Sequence, residues 1–397
     1  MSKTIGERAA ERERPVDSPW IDDELRAWRD HVARFLQREF LPHADRWERE
    51  RAIDRTAWHK AGEAGLLCAG IPEEHGGGGG SYAHEAVVAQ EIAHVGLAGS
   101  FGAGNAVSSA IVARYILAYG TEAQKNRWLH RMAAGELIGA IAMTEPGAGS
   151  DLQSIKTNAR KVAGGYRISG QKTFITNGHS ADLVLVVAKT DTTDGAKGVS
   201  LLAIEAQQAE GLRRGRRLEK LGMHAQDTSE LFFDDVFVPT DNLLGGEEGA
   251  GFTQLMQQLA WERLIIALDA VVAMERAVQM TTEYVKQRKA FGQPLLALQN
   301  TQFKLAECKT KATVGRVFVD QLMMRLLGGT LDPGVAAMAK LWTTETQGQV
   351  VDECLQLHGG YGYMTEYPIA RLYADSRASR IYGGTNEIMK LIIARTL

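Results

Sequence analysis

Ala142-Met143-Thr144-Glu145-Pro146-Gly147-Ala148-Gly149-Ser150-Asp151 is the stretch on which the reading of this chain turns. Pro146, Gly147 and Gly149 force an irregular loop, which presents backbone N–H groups beside the hydroxyls of Thr144 and Ser150. Such a loop suits a polar, partly anionic planar ligand; ten residues of this kind also serve as a plain turn between two elements. Neither the Gly-x-Gly-x-x-Gly nor the P-loop spacing fits it. The loop also marks a border. Before it, from residue 22 to about 133, apolar residues recur at helical spacing, as in Leu25, Trp28, Val32 and Phe35. After it, between 139 and 238, the apolar runs are short and β-rich: 166–168, 183–187, 199–204 and 231–238. No long helices alternate with these runs, which predicts a small antiparallel sheet rather than a doubly wound one. Helical spacing returns after Gly251, with breaks at Pro294 and from Gly328 to Pro333.

The expected architecture is therefore an α+β multidomain protein. A mobile N-terminal tail (1–20) precedes an N-terminal α-helical domain (21–138), a middle antiparallel β domain (139–245) and a C-terminal helical domain (246–397). The five glycines Gly76 to Gly80 predict a flexible loop.

Composition narrows the function classes. A length of 397 residues exceeds one ordinary core, and 45% hydrophobic with 23% charged residues is globular composition. A net charge of −3 argues against nucleic-acid binding, since no excess of Lys and Arg stands ready to replace phosphate counterions. Cys68, Cys308 and Cys354 lie far apart, and with ten scattered histidines they offer no metal-ligand spacing. A reduced, cytoplasmic compartment fits them best. The charged start of the chain resembles neither a secretory signal nor a transit peptide. The greasiest helical run, Leu264 to Met274, carries Asp269 and is too short to insert in a membrane.

Two further segments carry chemistry. In Lys172-Thr173-Phe174-Ile175-Thr176-Asn177-Gly178, strand alternation would put Phe174 and Thr176 on one side. A ring beside a hydroxyl suits the edge of an isoalloxazine, although an ordinary strand reads the same way. Towards the C-terminus, Gln356-Leu357-His358-Gly359-Gly360 and Tyr382-Gly383-Gly384-Thr385-Asn386-Glu387 are glycine turns inside helical text. Glycine costs about 1 kcal/mol in a helix interior, so these pairs mark breaks or close approaches. Thr385 is placed to cap the last helix, whose N-terminus aims free N–H groups at whatever precedes it.

Together with Arg288-Lys289-Ala290-Phe291-Gly292 and Lys220-Leu221-Gly222-Met223, these segments resemble the acyl-CoA dehydrogenase family over essentially the whole chain after residue 20. Within it the likeness is nearest to long-chain members, through Ala225 to Thr228, Tyr284 to Gly292 and Ile381 to Met389. The resemblance implies the three-domain fold, with the C-terminal helices forming a four-helix bundle, and FAD as cofactor. It places Met143, Thr144, Gly149, Ser150, Phe174, Ile175 and Thr176 against the flavin side of one subunit. Arg288, Phe291, Gln299, Gln356 and Gly360 would serve the FAD of a neighbouring subunit, and Thr385, Asn386 and Glu387 would close over its pyrophosphate. A homotetramer, built as a dimer of dimers, is implied.

The catalytic base departs from the commonest family pattern. Many relatives place a glutamate where this chain has Gly383; a minority carry it on an internal helix just before an arginine. Trp261-Glu262-Arg263-Leu264 matches that second arrangement. The alternative for a carboxylate in such apolar text is a structural ion pair. By similarity, Glu262 takes the alpha proton of an acyl-CoA while the beta hydride passes to flavin N5, giving a trans-2-enoyl-CoA. The Gly383 N–H would steady the enolate oxygen. Ser150, Arg263 and Gly384 would contact substrate, and electrons would leave to an electron-transfer flavoprotein. A medium- or long-chain fatty acyl group is expected. Branched or terpenoid acyl groups, a flavin oxidase or monooxygenase on the same fold, and a colourless non-catalytic relative stand as alternatives.

Overall fold

The computed structural model describes residues 18–397. The first helix, α1 (Asp23–Phe35), begins where Asp22 caps the Leu25 N–H at 2.9 Å, and it buries Leu25, Val32 and Phe35. Helices α2 (Ala44–Glu50), α3 (Arg55–Glu63) and α4 (Tyr82–Val95) follow. A wound stretch comes next: π-helical Ala98–Gly102, the short α5 (Ala103–Asn105) and π-helical Ala106–Val112 run into α6 (Ala113–Tyr119). Helix α7 (Glu122–Ala133), entered through a Thr121–Gln124 capping box, closes the N-terminal part.

Seven strands form the middle sheet: β1 (Gly139–Ala142), β2 (Asn158–Val162), β3 (Gly165–Thr176), β4 (Leu183–Lys189), β5 (Val199–Glu205), β6 (Leu212–Arg217) and β7 (Thr228–Pro239). Their order is β1-β4-β2-β3-β7-β6, with β5 also paired to β4. The sheet is mixed, which corrects the antiparallel expectation. β1 runs parallel to β4 from Gly139↔Leu183 to Ala142↔Val186, and β2 meets β4 in parallel at Asn158↔Lys189. A parallel pair needs a long crossover, and the segment containing the β2–β3 hairpin supplies it. β4 reads as one unbroken apolar run because both its faces are covered. Leu183, Leu185 and Val187 pack towards Tyr115, Trp128 and Leu129 of the helices. Val184 and Val186 pack towards Tyr166, Ile168 and Val236 within the β domain.

After the sheet, α8 (Gly251–Gln287) runs 37 residues, about 55 Å at 1.5 Å per residue. A two-stranded hairpin, β8 (Lys289–Ala290) and β9 (Gln293–Pro294), turns the chain into α9 (Gln299–Leu327) and α10 (Pro333–His358). The short α11 (Pro368–Ser376) and α12 (Asn386–Ala394) dock on α10. Mid-helix residues of α8 such as Leu264, Leu268 and Val271 join α4, α9 and α10 in one core. No helix among the described residues is long and apolar enough to cross a membrane.

Two further expectations change. The mobile tail was expected to reach residue 20, and its residues 1–17 lie outside the described residues. Trp20 is buried, with its indole N–H bonded to Asp320 at 2.9 Å, so a large apolar ring anchors the chain there. Gly76 to Gly80 form a packed turn rather than a loose loop. All five N–H groups donate to carbonyls of residues 68–73, and a side chain at Gly76, Gly77 or Gly80 would strike His130, Ile71 or His84.

Candidate active site

Glu262 sits on α8 where that helix passes under the N-terminal helices. It is 4% exposed, and its Oε1 accepts the Tyr115 O–H at 2.9 Å. Desolvation lifts its carboxyl to about 7; the Tyr115 hydrogen bond and neighbouring Arg263 oppose this and are outweighed. It has no ion pair among the described residues. Arg263 is buried as well, and its Nε has no hydrogen-bond partner. An orphaned guanidinium nitrogen next to a neutral-range carboxyl is ready for an anionic or polar ligand.

The C-terminal turn reaches α8 one helical turn further on. Gly383 adopts φ of +66° and Gly384 +89°, both in the region that favours glycine. A side chain at Gly383 would collide with Ile266 Cδ1. The turn is locked from beneath by Lys340, fully buried on α10, whose Nζ donates to the Gly384 carbonyl at 2.8 Å and to Asn386 Oδ1 at 2.9 Å. Asn386 in turn donates to Thr344 and Glu345, so its side chain is committed to the lock. Thr385 caps α12 through the Ile388 N–H, while Glu387 is exposed.

The Met143–Ser150 loop is held by another buried cation. Lys172 Nζ donates to the Met143 carbonyl at 2.8 Å and to Glu145 Oε1 at 2.9 Å, and both side chains are almost wholly enclosed. Burial raises the Glu145 carboxyl, but bonds from Thr157, Lys156 and Lys172 outweigh it and hold the group below its usual range. Burial brings Lys172 down to about 8. With its back fixed, the loop leaves its front open: Met143 and Thr144 are half-buried, Ser150 is exposed, and nothing lies within 4 Å of a Cβ placed at Gly147 or Gly149.

Simple alternation does not set the neighbouring strand. β3 breaks register with β7 between Lys172 and Ile175, and Phe174 has φ of +58°. The bulge turns Phe174 outward at 67% exposure, buries Ile175 in the β core and leaves Thr176 half-buried. An open, polar loop beside an outward ring fits a planar flavin.

Arg288, Phe291, Gln299, Gln356 and Gly360 are all exposed, and Phe291 is 91% exposed. The Arg288 guanidinium lies 5.7 Å from the Tyr361 ring, which ties the β8–β9 hairpin to the turn after α10. Arg288 follows Glu262 by 26 residues, about 39 Å along the helical path, so one chain does not bring the two groups together. His358 is structural: its Nδ1 meets the Cys354 carbonyl at 2.8 Å and its ring stacks on Tyr284.

A cavity opens between α4, the π-helical stretch and α8, walled by Val88, Ile92, Gly102, Ala106, Ile265 and Asp269. The small residues between Leu97 and Ala110 serve two purposes. Ala98, Gly102, Ala106 and Ala110 line the cavity, while side chains at Gly99 and Gly104 would strike Asp375 and Asn177. Tyr115, Lys172, Lys340 and Asp269 escaped sequence reasoning as site residues. A lysine in β-rich text and another in the helical text before the glycine turns were the available signals for two of them.

Three family models cover the chain: the acyl-CoA dehydrogenase N-terminal domain over residues 22–136, the middle domain over 140–236 and the C-terminal domain over 249–397. Mitochondrial long-chain specific acyl-CoA dehydrogenase of Mus musculus is 49% identical over 372 residues, 93% of this chain and 85% of that protein. The crystal structure of an acyl-CoA dehydrogenase from Geobacillus kaustophilus superposes with TM-score 0.92 at 47% identity, covering 96% of this chain and 99% of that one. A glutaryl-CoA dehydrogenase from Mycobacterium smegmatis, solved in complex with FADH2, superposes with TM-score 0.87 at 27% identity, covering 95% of each chain.

Proposed function

Since the chain belongs to the acyl-CoA dehydrogenase family and is an oxidoreductase, we propose that it desaturates medium- or long-chain acyl-CoA thioesters between the alpha and beta carbons, with Glu262 as the base. The observation that carries this reading is the state of Glu262: a buried carboxyl, without an ion pair among the described residues, lifted to about 7. A free carboxylate is far too weak a base for a carbon acid beside a thioester, and desolvation narrows that gap. The carboxylate removes the alpha proton, and the electron pair of that C–H bond becomes the new C=C bond as the beta hydrogen leaves with its own pair. FAD, when bound, supplies the two-electron acceptor this requires.

The remaining parts belong to the chain. Lys340 fixes the Gly384 carbonyl and so anchors the turn that carries the Gly383 N–H, which is assigned to the thioester oxygen. Lys172 fixes the loop that carries Met143, Thr144, Gly149 and Ser150 towards FAD, with Phe174 and Thr176 beside it. Arg263 offers its unpartnered Nε to the CoA side, together with Ser150 and Gly384. Arg288, Phe291, Gln299, Gln356 and Gly360 serve the FAD of a second subunit in a homotetramer, a role supported by their exposure and their distance from Glu262. Thr385 and Glu387 close over that cofactor, with Asn386 as their lock. Electrons pass on to an electron-transfer flavoprotein.

The test is Glu262→Gln in the FAD-loaded protein. Turnover of hexadecanoyl-CoA is expected to fall by at least about 10³-fold while FAD stays bound. Unchanged turnover would remove Glu262 as the base.

A further inference from the structure

We infer that the cavity beside α8 selects acyl chains carrying a mid-chain hydroxyl, with Asp269 as the group that receives it. The inference rests on the acyl-CoA reading and names the substrate class for the same site.

The wall of this cavity is apolar except for four polar residues, Glu85, Asn105, Ser109 and Asp269. Three of them are engaged. Glu85 takes the Arg114 guanidinium on both oxygens at 3.1 Å, and Arg114 also lies over the Tyr82 ring. The Ser109 hydroxyl donates to Asn105 Oδ1 at 2.8 Å. Asp269 alone has no hydrogen-bond or ion-pair partner among the described residues. Asp269 is half-buried, and desolvation where it meets the cavity, with no opposing charge, raises its carboxyl to about 7. A bare carboxyl on an apolar wall is costly, and a site that keeps one has a use for it.

Its position relates it to the reaction. Asp269 lies seven residues after Glu262 on α8, two helical turns and so the same face, with cavity-lining Ile265 between them. Its charge is also felt at Tyr382, the residue before Gly383, whose phenol is raised by desolvation first and by Asp269 and Asp375 after it. Seven residues are about 10 Å of helix rise. An extended chain gains roughly 1.2 Å per bond, so a substrate whose alpha carbon meets Glu262 would bring roughly its tenth to eleventh carbon level with Asp269. A hydroxyl there would donate to the carboxyl. A saturated chain would leave it unpaired, and sites built to hydrogen-bond a substrate hydroxyl discriminate strongly against the analogue that lacks it.

The experiment compares hexadecanoyl-CoA with its mono-hydroxylated forms, the hydroxyl placed at each carbon across that range and, as a control, at the chain terminus. In the FAD-loaded wild type, kcat/KM for the best mid-chain hydroxyacyl-CoA is expected to exceed that for the unsubstituted chain by at least about tenfold. Asp269→Leu should bring that ratio below one, and Asp269→Asn, which keeps an acceptor, should preserve most of it. Dissociation constants in the Glu262→Gln background, where turnover is blocked, should show the same order. Equal or better use of the unsubstituted chain by the wild type, or a ratio that Asp269→Leu leaves alone, would overturn the inference while the dehydrogenase reading stands. If no acyl-CoA is turned over or bound, that reading falls and takes the inference with it.

Discussion

At the scale of single residues, Glu262 pays for its readiness in stability. Its carboxyl sits at about 7 in the folded chain against an ordinary 4.5. The folded state therefore holds a proton that the unfolded state has lost between those values, and stability falls as pH rises through that window. Glu262→Gln should accordingly raise stability at pH 8, by as much as about 3 kcal/mol, with the gain vanishing below about pH 4.5. Urea unfolding at the two pH values checks this. For activity the sign reverses: the proposed base works deprotonated, so kcat/KM should fall about tenfold per pH unit below about 7. The Tyr115 hydrogen bond lowers the carboxyl, so Tyr115→Phe should move that limb to higher pH. The burial of Glu262 was legible in the sequence because apolar text surrounds it, and its candidacy as base followed from the glycine at position 383. Tyr115, 147 residues away, was not, since nothing local marks which of ten tyrosines meets a buried acid. Asp269 was noticed only as a charge in a greasy run; its lack of a partner is a property of packing.

At the scale of elements, the two loops of the site each rest on one enclosed lysine. Lys172→Met would leave the Glu145 carboxylate buried without its cation, a loss of about 3–5 kcal/mol. The variant should unfold at markedly lower urea and retain less FAD after dialysis, as read from flavin absorbance. Lys340→Met should act on the other loop. Loss of the bonds to Gly384 and Asn386 should lower kcat more than it raises KM, because the turn they anchor carries the Gly383 N–H proposed to meet the reacting oxygen. Long apolar strands such as β4 and β5 were readable from their text, as was the helical spacing of α8. β6, Leu-Arg-Arg-Gly-Arg-Arg, was not: an edge strand with mostly exposed side chains owes its place to pairing with β7 rather than to burial. The β3 bulge was hidden for a related reason, since an inserted residue breaks the alternation from which strand faces are read.

At the scale of the whole molecule, α9 exposes Phe303, Val314, Val317 and Met324, positions that recur at helical spacing along one face. The hairpin with exposed Phe291 lies at its start. A second copy of the chain is the covering that the homotetramer proposal provides. Val317→Lys combined with Phe303→Lys should shift the protein to smaller species in sedimentation velocity, and FAD should be lost with assembly. If the pair of substitutions leaves both mass and flavin content unchanged, the shared-site arrangement is wrong. The order helical, β, helical was plain in the sequence, because each change of period is long. Which exposed residues belong to a neighbour was not, because surface text looks alike whether water or protein covers it.

One consequence follows from α8 alone. From Gly251 to Gln287 it contains no proline and no break, so its residues move as a single stiff strut. Glu262, the proposed proton acceptor near its middle, and the outward-facing end that leads into the hairpin are mounted on the same beam. Small adjustments to substrate fit cannot be made by bending that beam without disturbing its far end. They are left to the wall opposite, the partly π-helical segment from Ala98 to Val112, where exchanging a cavity-lining alanine for a glycine or a serine alters the bore.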